Sequence, residues 1–145
     1  MKTQEKMLVD KTTIRVRFSE VDTMKIVWHG EYIKYFEDGR ESFGKAYDLG
    51  YLDVYDRGYM IPLVSIKCDY KRPLKYGESA IVETHFIDCE AAKIKFEYFI
   101  YRESNNELVA TGESVQVFLN KDYELMLTMP SFFVEWKKRW DLKYF

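Results

Sequence analysis

The chain has 145 residues, 22 of them basic and 24 acidic, for a formal net charge of −2, and 47% of it is apolar. That length and composition fit one folded domain, taken as 1–145, and exclude an intrinsically disordered chain. The near-neutral balance, without any block of like charge, argues against a nucleic-acid binder, which would carry a basic excess.

The first patterned stretch is 11–18, where Ile14, Val16 and Phe18 alternate with Arg15 and Arg17 as in a half-buried strand. A polar segment, Ser19-Glu20-Val21-Asp22-Thr23, ends it. From residue 31 the period changes to three and four. Tyr32, Phe36, Gly39, Phe43 and Ala46 form an apolar stripe opposite Lys34, Asp38, Glu41, Lys45 and Asp48. This predicts an amphipathic helix over 31–49, with Glu31 suited to its positive end and Gly50 as its stop.

Beyond Gly50 the pattern returns to β. Val64, Ile66, Cys68 and Tyr70 alternate with polar residues until Pro73, and further strands are predicted over 81–87, 94–100 and 108–120. Ser104-Asn105-Asn106 reads as a turn. A short helix beginning near Pro130 would carry Phe133, Trp136 and Trp140. Short connections favour antiparallel neighbours, so the expected fold is α+β, one antiparallel sheet with one long helix packed on it.

Cys68 and Cys89 are too few for a disulfide framework and read as small core residues of a protein in a reducing compartment. His29 and His85 are the only histidines, so no metal-ligand spacing exists, and neither a metal nor a cofactor is expected. No long apolar run follows the first residues. The sequence predicts no signal peptide, no membrane span and a cytoplasmic location.

One segment brings chemistry together. Asp22 lies in a loop, and His29 and Gly30 follow seven and eight residues later at a predicted helix start. A helix N-terminus presents unpaired N–H groups and a partial positive charge, which suit an oxygen that becomes negative during acyl transfer. A nearby carboxylate can activate water or attack a carbonyl carbon. An Asp before a helix also serves as an ordinary turn or capping residue. Glu20 reads as a solvated loop residue, His85 as a structural strand residue, and Glu37 and Arg40, one helical turn apart, as a pair.

The stretch 18–40 resembles the hotdog-fold thioesterases of the 4-hydroxybenzoyl-CoA thioesterase family. The resemblance is carried by Asp22-Thr23-Met24-Lys25-Ile26-Val27-Trp28-His29-Gly30 and by Tyr35-Phe36-Glu37-Asp38-Gly39-Arg40, with a softer landmark over 64–78. It implies a hotdog fold, with the antiparallel sheet wrapped around the long central helix. It implies an acyl- or aroyl-CoA thioesterase in which Asp22 is nucleophile or general base. The backbone around His29, Gly30 and Glu31 would polarise the thioester carbonyl, and His29 would contact substrate, contact Asp22 or cap the helix. It further implies a site between subunits of a homodimer or homotetramer, and basic residues near the phosphates of CoA, for which Lys71, Arg72, Lys93 and Lys95 are the candidates. A hydratase or dehydratase acting on thioesters, or a non-catalytic acyl-binding hotdog domain, would share the fold.

Overall fold

The computed structural model describes residues 7–145. Its elements run β1 (Val9–Arg15), α1 (Glu31–Tyr47), α2 (Tyr51–Asp56), β2 (Tyr59–Met60), β3 (Leu63–Tyr70), β4 (Ser79–Ile87), β5 (Lys93–Arg102), β6 (Leu108–Val117), β7 (Leu119–Asn120) and α3 (Ser131–Arg139). Five strands form one antiparallel sheet in the order β1-β4-β5-β6-β3, while β2 and β7 pair separately. Alternate residues of β4, β5 and β6 are buried, and α1 lies against that face. No helix among the described residues is long and apolar enough to cross a membrane.

The core is aromatic. Phe36 stacks on Tyr98 with ring centroids 4.5 Å apart, and Phe43 meets Phe96 edge-on at 5.0 Å; all four are buried. Two glycines let helix and sheet approach so closely. A Cβ on Gly112 would strike the Phe36 ring, and one on Gly39 would lie 2.5 Å from Thr84 Oγ1. That hydroxyl is buried and has no hydrogen-bond partner among the described residues. Burying an unpaired hydroxyl costs stability. Thr84→Val should therefore leave stability unchanged or raise it by up to about 1 kcal/mol in a denaturant melt, and a loss above about 1 kcal/mol would contradict this.

Several local expectations are corrected. The first strand ends at Arg15, because Arg17 N–H caps onto Glu20 Oε1 and starts a 3-10 turn over Phe18–Glu20. Phe18 is consequently 77% exposed, whereas Val16 is buried. The helix stops at Tyr47 through Asp48, in the left-handed region at φ 58°, and Gly50 instead precedes α2, donating its N–H to Asp53. Helix α2 has no apolar period long enough to announce it. Ala46, expected in the apolar stripe, is exposed, whereas Tyr35, outside that stripe, is buried. The strand predicted over 108–120 breaks at buried Phe118, where the chain leaves β6 and pairs with β2.

The antiparallel neighbours β4, β5 and β6 follow from their short connections. The connection from β3 to β4 does not join neighbours, since it crosses the sheet end from one side to the other. Arg102 holds it there: the guanidinium donates to Pro73 O and to the carboxylates of Glu78 and Glu107. At the opposite end, Lys137 of α3 is fully buried. Its Nζ donates to Asp88 Oδ1 and Cys89 O, both at 2.7 Å, and to Tyr144 O at 2.6 Å. Asp88 Oδ2 accepts the N–H groups of Lys143 and Tyr144, so this one knot ties the C-terminal segment to the β4–β5 turn.

Candidate functional site

Asp22 lies in a tight turn between two short paired segments. Val21 bridges Val27, Asp22 N–H donates to Ile26 O, and Lys25 N–H returns to Asp22 O with Lys25 at φ 65°. Ile26 bridges Lys75 and Val27 N–H donates to Leu74 O, so the crossing connection supports the turn from behind. Within it, Asp22 Oδ1 accepts Met24 N–H at 2.8 Å. The second carboxylate oxygen has no partner among the described residues, and Asp22 is half-buried. The pairing of Val21 with Val27 folds this carboxylate back beside the segment that enters α1.

At the start of α1, Gly30 is the N-cap, and no side chain among the described residues caps the helix. Glu31 N–H already donates to Trp28 O at 2.9 Å, and the buried Glu31 side chain meets Lys34 at 3.3 Å. Glu31 is thereby removed from the expected set of free donors, while the N–H groups of His29 and Gly30 have no partner among the described residues. The Trp28 ring covers Gly30 so closely that a Cβ there would run into it. The His29 ring is exposed, 4.7 Å from Trp28 and edge-on to Tyr70 at 6.5 Å, and it neither bonds Asp22 nor caps the helix.

Two tyrosines brace this end. Tyr70 O–H donates to His29 O at 2.7 Å, which anchors the helix start to the end of β3. Tyr35 O–H donates to Glu20 Oε1 at 3.2 Å. Burial, together with that carboxylate, pushes the Tyr35 phenol far above its ordinary value, so it stays a neutral donor. Glu20 is therefore a brace for the loop rather than a merely solvated residue. Neither tyrosine was assigned to the site from the sequence, since a phenol at a helical or strand position carries no mark of its distant partner.

The basic candidates divide into two groups. Lys71 and Arg72 directly follow Tyr70, at the sheet end that holds His29, and Arg72 lies 3.7 Å from Glu107. Lys93 and Lys95 pair with Val117 and Val115, at the other end of the sheet, roughly 25 Å away at about 3.4 Å per residue. One chain does not bring the four together. His85 stays structural, 2.7 Å from Glu83 and packed on Phe99. Arg40 makes no pair with Glu37. It donates instead to Tyr98 O–H at 3.1 Å.

Comparison with known proteins agrees with this architecture. Residues 16–137 match the family model described as the thioesterase-like superfamily. YneP of Bacillus subtilis (strain 168), whose name carries acyl-CoA thioesterase as a provisional assignment, is 36% identical over 132 residues, covering 90% of this chain and 94% of its own. Among solved structures, a DHNA-CoA thioesterase from Staphylococcus aureus superposes with a TM-score of 0.82 at 24% identity, covering 92% of this chain and 89% of the other. A 4-hydroxybenzoyl CoA thioesterase in complex with 4-hydroxybenzoyl CoA gives 0.76 at 18% identity, covering 88% and 97%. Both structures share the fold, an antiparallel sheet around a central helix. With its matched family model and its extended similarity to YneP, the chain belongs to the thioesterase-like superfamily and has the hotdog fold.

Proposed function

We propose that the protein hydrolyses acyl- or aroyl-CoA thioesters to the free acid and coenzyme A, in the cytoplasm. The observation that carries this reading is Asp22, whose carboxylate is pinned through one oxygen and, among the described residues, free at the other, in the turn of the short hairpin that leads into α1. The free oxygen attacks the thioester carbon or takes a proton from the water that does. The carbonyl oxygen gains negative charge as the new C–O bond forms, and the unpaired N–H groups of His29 and Gly30 face that charge at the positive helix end. The C–S bond then breaks, the sulfur leaves as the thiol of CoA, and water supplies the oxygen and protons that complete the acid. The test is thiol release from a panel of acyl- and aroyl-CoAs. Release from at least one supports the reading, and no release from any overturns it.

The site as drawn is completed by a second copy of the chain. Strand β3 is an edge strand of eight residues whose outer side pairs with no other strand among the described residues. Leu63, Val64 and Tyr70 are exposed at 39%, 58% and 50%. A long apolar edge left open is a template for strand pairing. Antiparallel pairing of two such edges about a two-fold axis makes a homodimer, on which a homotetramer can build. It also carries the second copy's Lys93 and Lys95 to the end of the joint sheet that holds Lys71 and Arg72, where they would meet CoA phosphates. Sedimentation should show at least twice the 17.5 kDa chain mass. Ile66→Lys, half-buried on β3, should give a folded monomer by circular dichroism with most of its activity gone. A fully active monomer would refute the pairing.

A further inference from the structure

The peptide unit between His29 and Gly30 has its two polar ends in different situations. Its oxygen accepts the Tyr70 phenol at 2.7 Å, and no main-chain N–H among the described residues shares that oxygen. Its N–H, which belongs to Gly30, has no partner among the described residues. The unit is planar and trans, so carbonyl and N–H point to opposite sides of the chain. Fixing the oxygen at the end of β3 therefore fixes the aim of the N–H, away from Tyr70. No capping side chain among the described residues takes over that task, and glycine at the N-cap restrains the backbone least of all residues.

The phenol is held for this contact. Tyr70 pairs with Ala110 in the ladder between β3 and β6, which fixes its backbone. Its ring stands edge-on to Tyr32 at 5.1 Å and to His29 at 6.5 Å. The Cys68 thiol, on the same face of β3, hydrogen-bonds the phenol. Partial burial, and then that thiol, push the phenol above its ordinary pKa, so it stays a neutral donor. A phenol has one hydrogen, and this one goes to His29 O. A hydrogen bond accepted at the carbonyl of a peptide strengthens the donor at its other end, because the two are polarised together. The Trp28 ring packs over Gly30, which keeps water from one side of the unit and makes a fixed dipole count for more.

We infer that Tyr70 is a positioning residue for hydrolysis, which through His29 O aims and strengthens the Gly30 N–H that meets the thioester oxygen. The inference rests on the thioesterase reading and adds to it a side chain that never touches substrate. As the thioester oxygen becomes negative, the peptide unit shifts electron density toward His29 O, and the phenol hydrogen meets that density. No proton is transferred and no bond breaks at Tyr70. The charge on the thioester oxygen is larger in the transition state than in the bound substrate, so the phenol stabilises the former more. Its removal should therefore appear in kcat rather than in KM.

The test is Tyr70→Phe, which keeps the ring and removes the donor. With the CoA ester that wild type hydrolyses fastest, kcat should fall about 10-fold, the contribution of one hydrogen bond, while KM stays within about 2-fold. The second readout is the infrared stretch of the ketone in an isotope-labelled 2-oxoalkyl thioether of CoA carrying the same chain. That ketone stands where the thioester carbonyl would and cannot be hydrolysed. Bound to wild type, its stretch should lie below the value in water. Bound to Tyr70→Phe, it should move back up at equal affinity. A residue that served the fold alone would lower the melting temperature and leave the stretch where it was. Unchanged kcat, a rise in KM alone, or a stretch indifferent to the substitution each overturns the inference. No thiol release from any CoA ester sinks the hydrolytic reading and this inference with it, whereas hydrolysis indifferent to Tyr70→Phe overturns the inference alone.

Discussion

Asp22→Asn should lower kcat by at least about 100-fold while KM stays within a few-fold of the parent. The substitution keeps the size of the side chain and an oxygen to accept Met24 N–H, so the turn over residues 22–26 survives. It removes the negative oxygen to which the proposal assigns attack on carbon or deprotonation of water, and loss of such a group typically costs about 100- to 10,000-fold. In the proposed site coenzyme A is held by other residues, so the loss is expected to fall on the transition state alone. His29→Ala should be milder, because the donor assigned to that residue is its main-chain N–H. Full activity in Asp22→Asn, with activity abolished in His29→Ala, would reverse the roles and favour a histidine mechanism.

Phe43→Ala should destabilise the fold by about 3–5 kcal/mol, the usual cost of emptying a fully buried aromatic site. The ring is 0% exposed and contacts the rings of Tyr47, Phe86 and Phe96, which cannot collapse into the space without disturbing one another. A loss below about 1 kcal/mol in a denaturant melt would place the ring outside the core.

The long helix and the alternating strands were legible because each is a repeat of one period read along the chain. The inward turn of Phe36 and Phe43 follows from spacing alone. Tyr35 lies outside the single stripe that spacing picks out, because a helix wrapped by a curved sheet buries more than one stripe, and α1 touches β1, β3 and β4 at once. Helix α2 and the break at Phe118 depend on tertiary pairing, of Tyr59 and Met60 with Leu119 and Asn120, that no local pattern records. In the site, the turn of Asp22 and the helix start at Gly30 were visible as residue types at a spacing. That Glu31 N–H is consumed by Trp28, that Glu20 braces Tyr35 and that Arg40 selects Tyr98 over Glu37 are facts of geometry between residues up to 58 positions apart.

The Lys137 knot also decides how the molecule bears load. Tension applied at the C-terminal end does not simply strip α3 from the surface, because Lys137, Lys143 and Tyr144 are anchored on Asp88. Asp88 stands in the turn between β4 and β5, the two strands next to each other in the middle of the five. The pull is therefore delivered to the centre of the sheet, where every strand is hydrogen-bonded on both sides, and not to its open β3 margin. The charged knot must tear before the terminal helix can peel away.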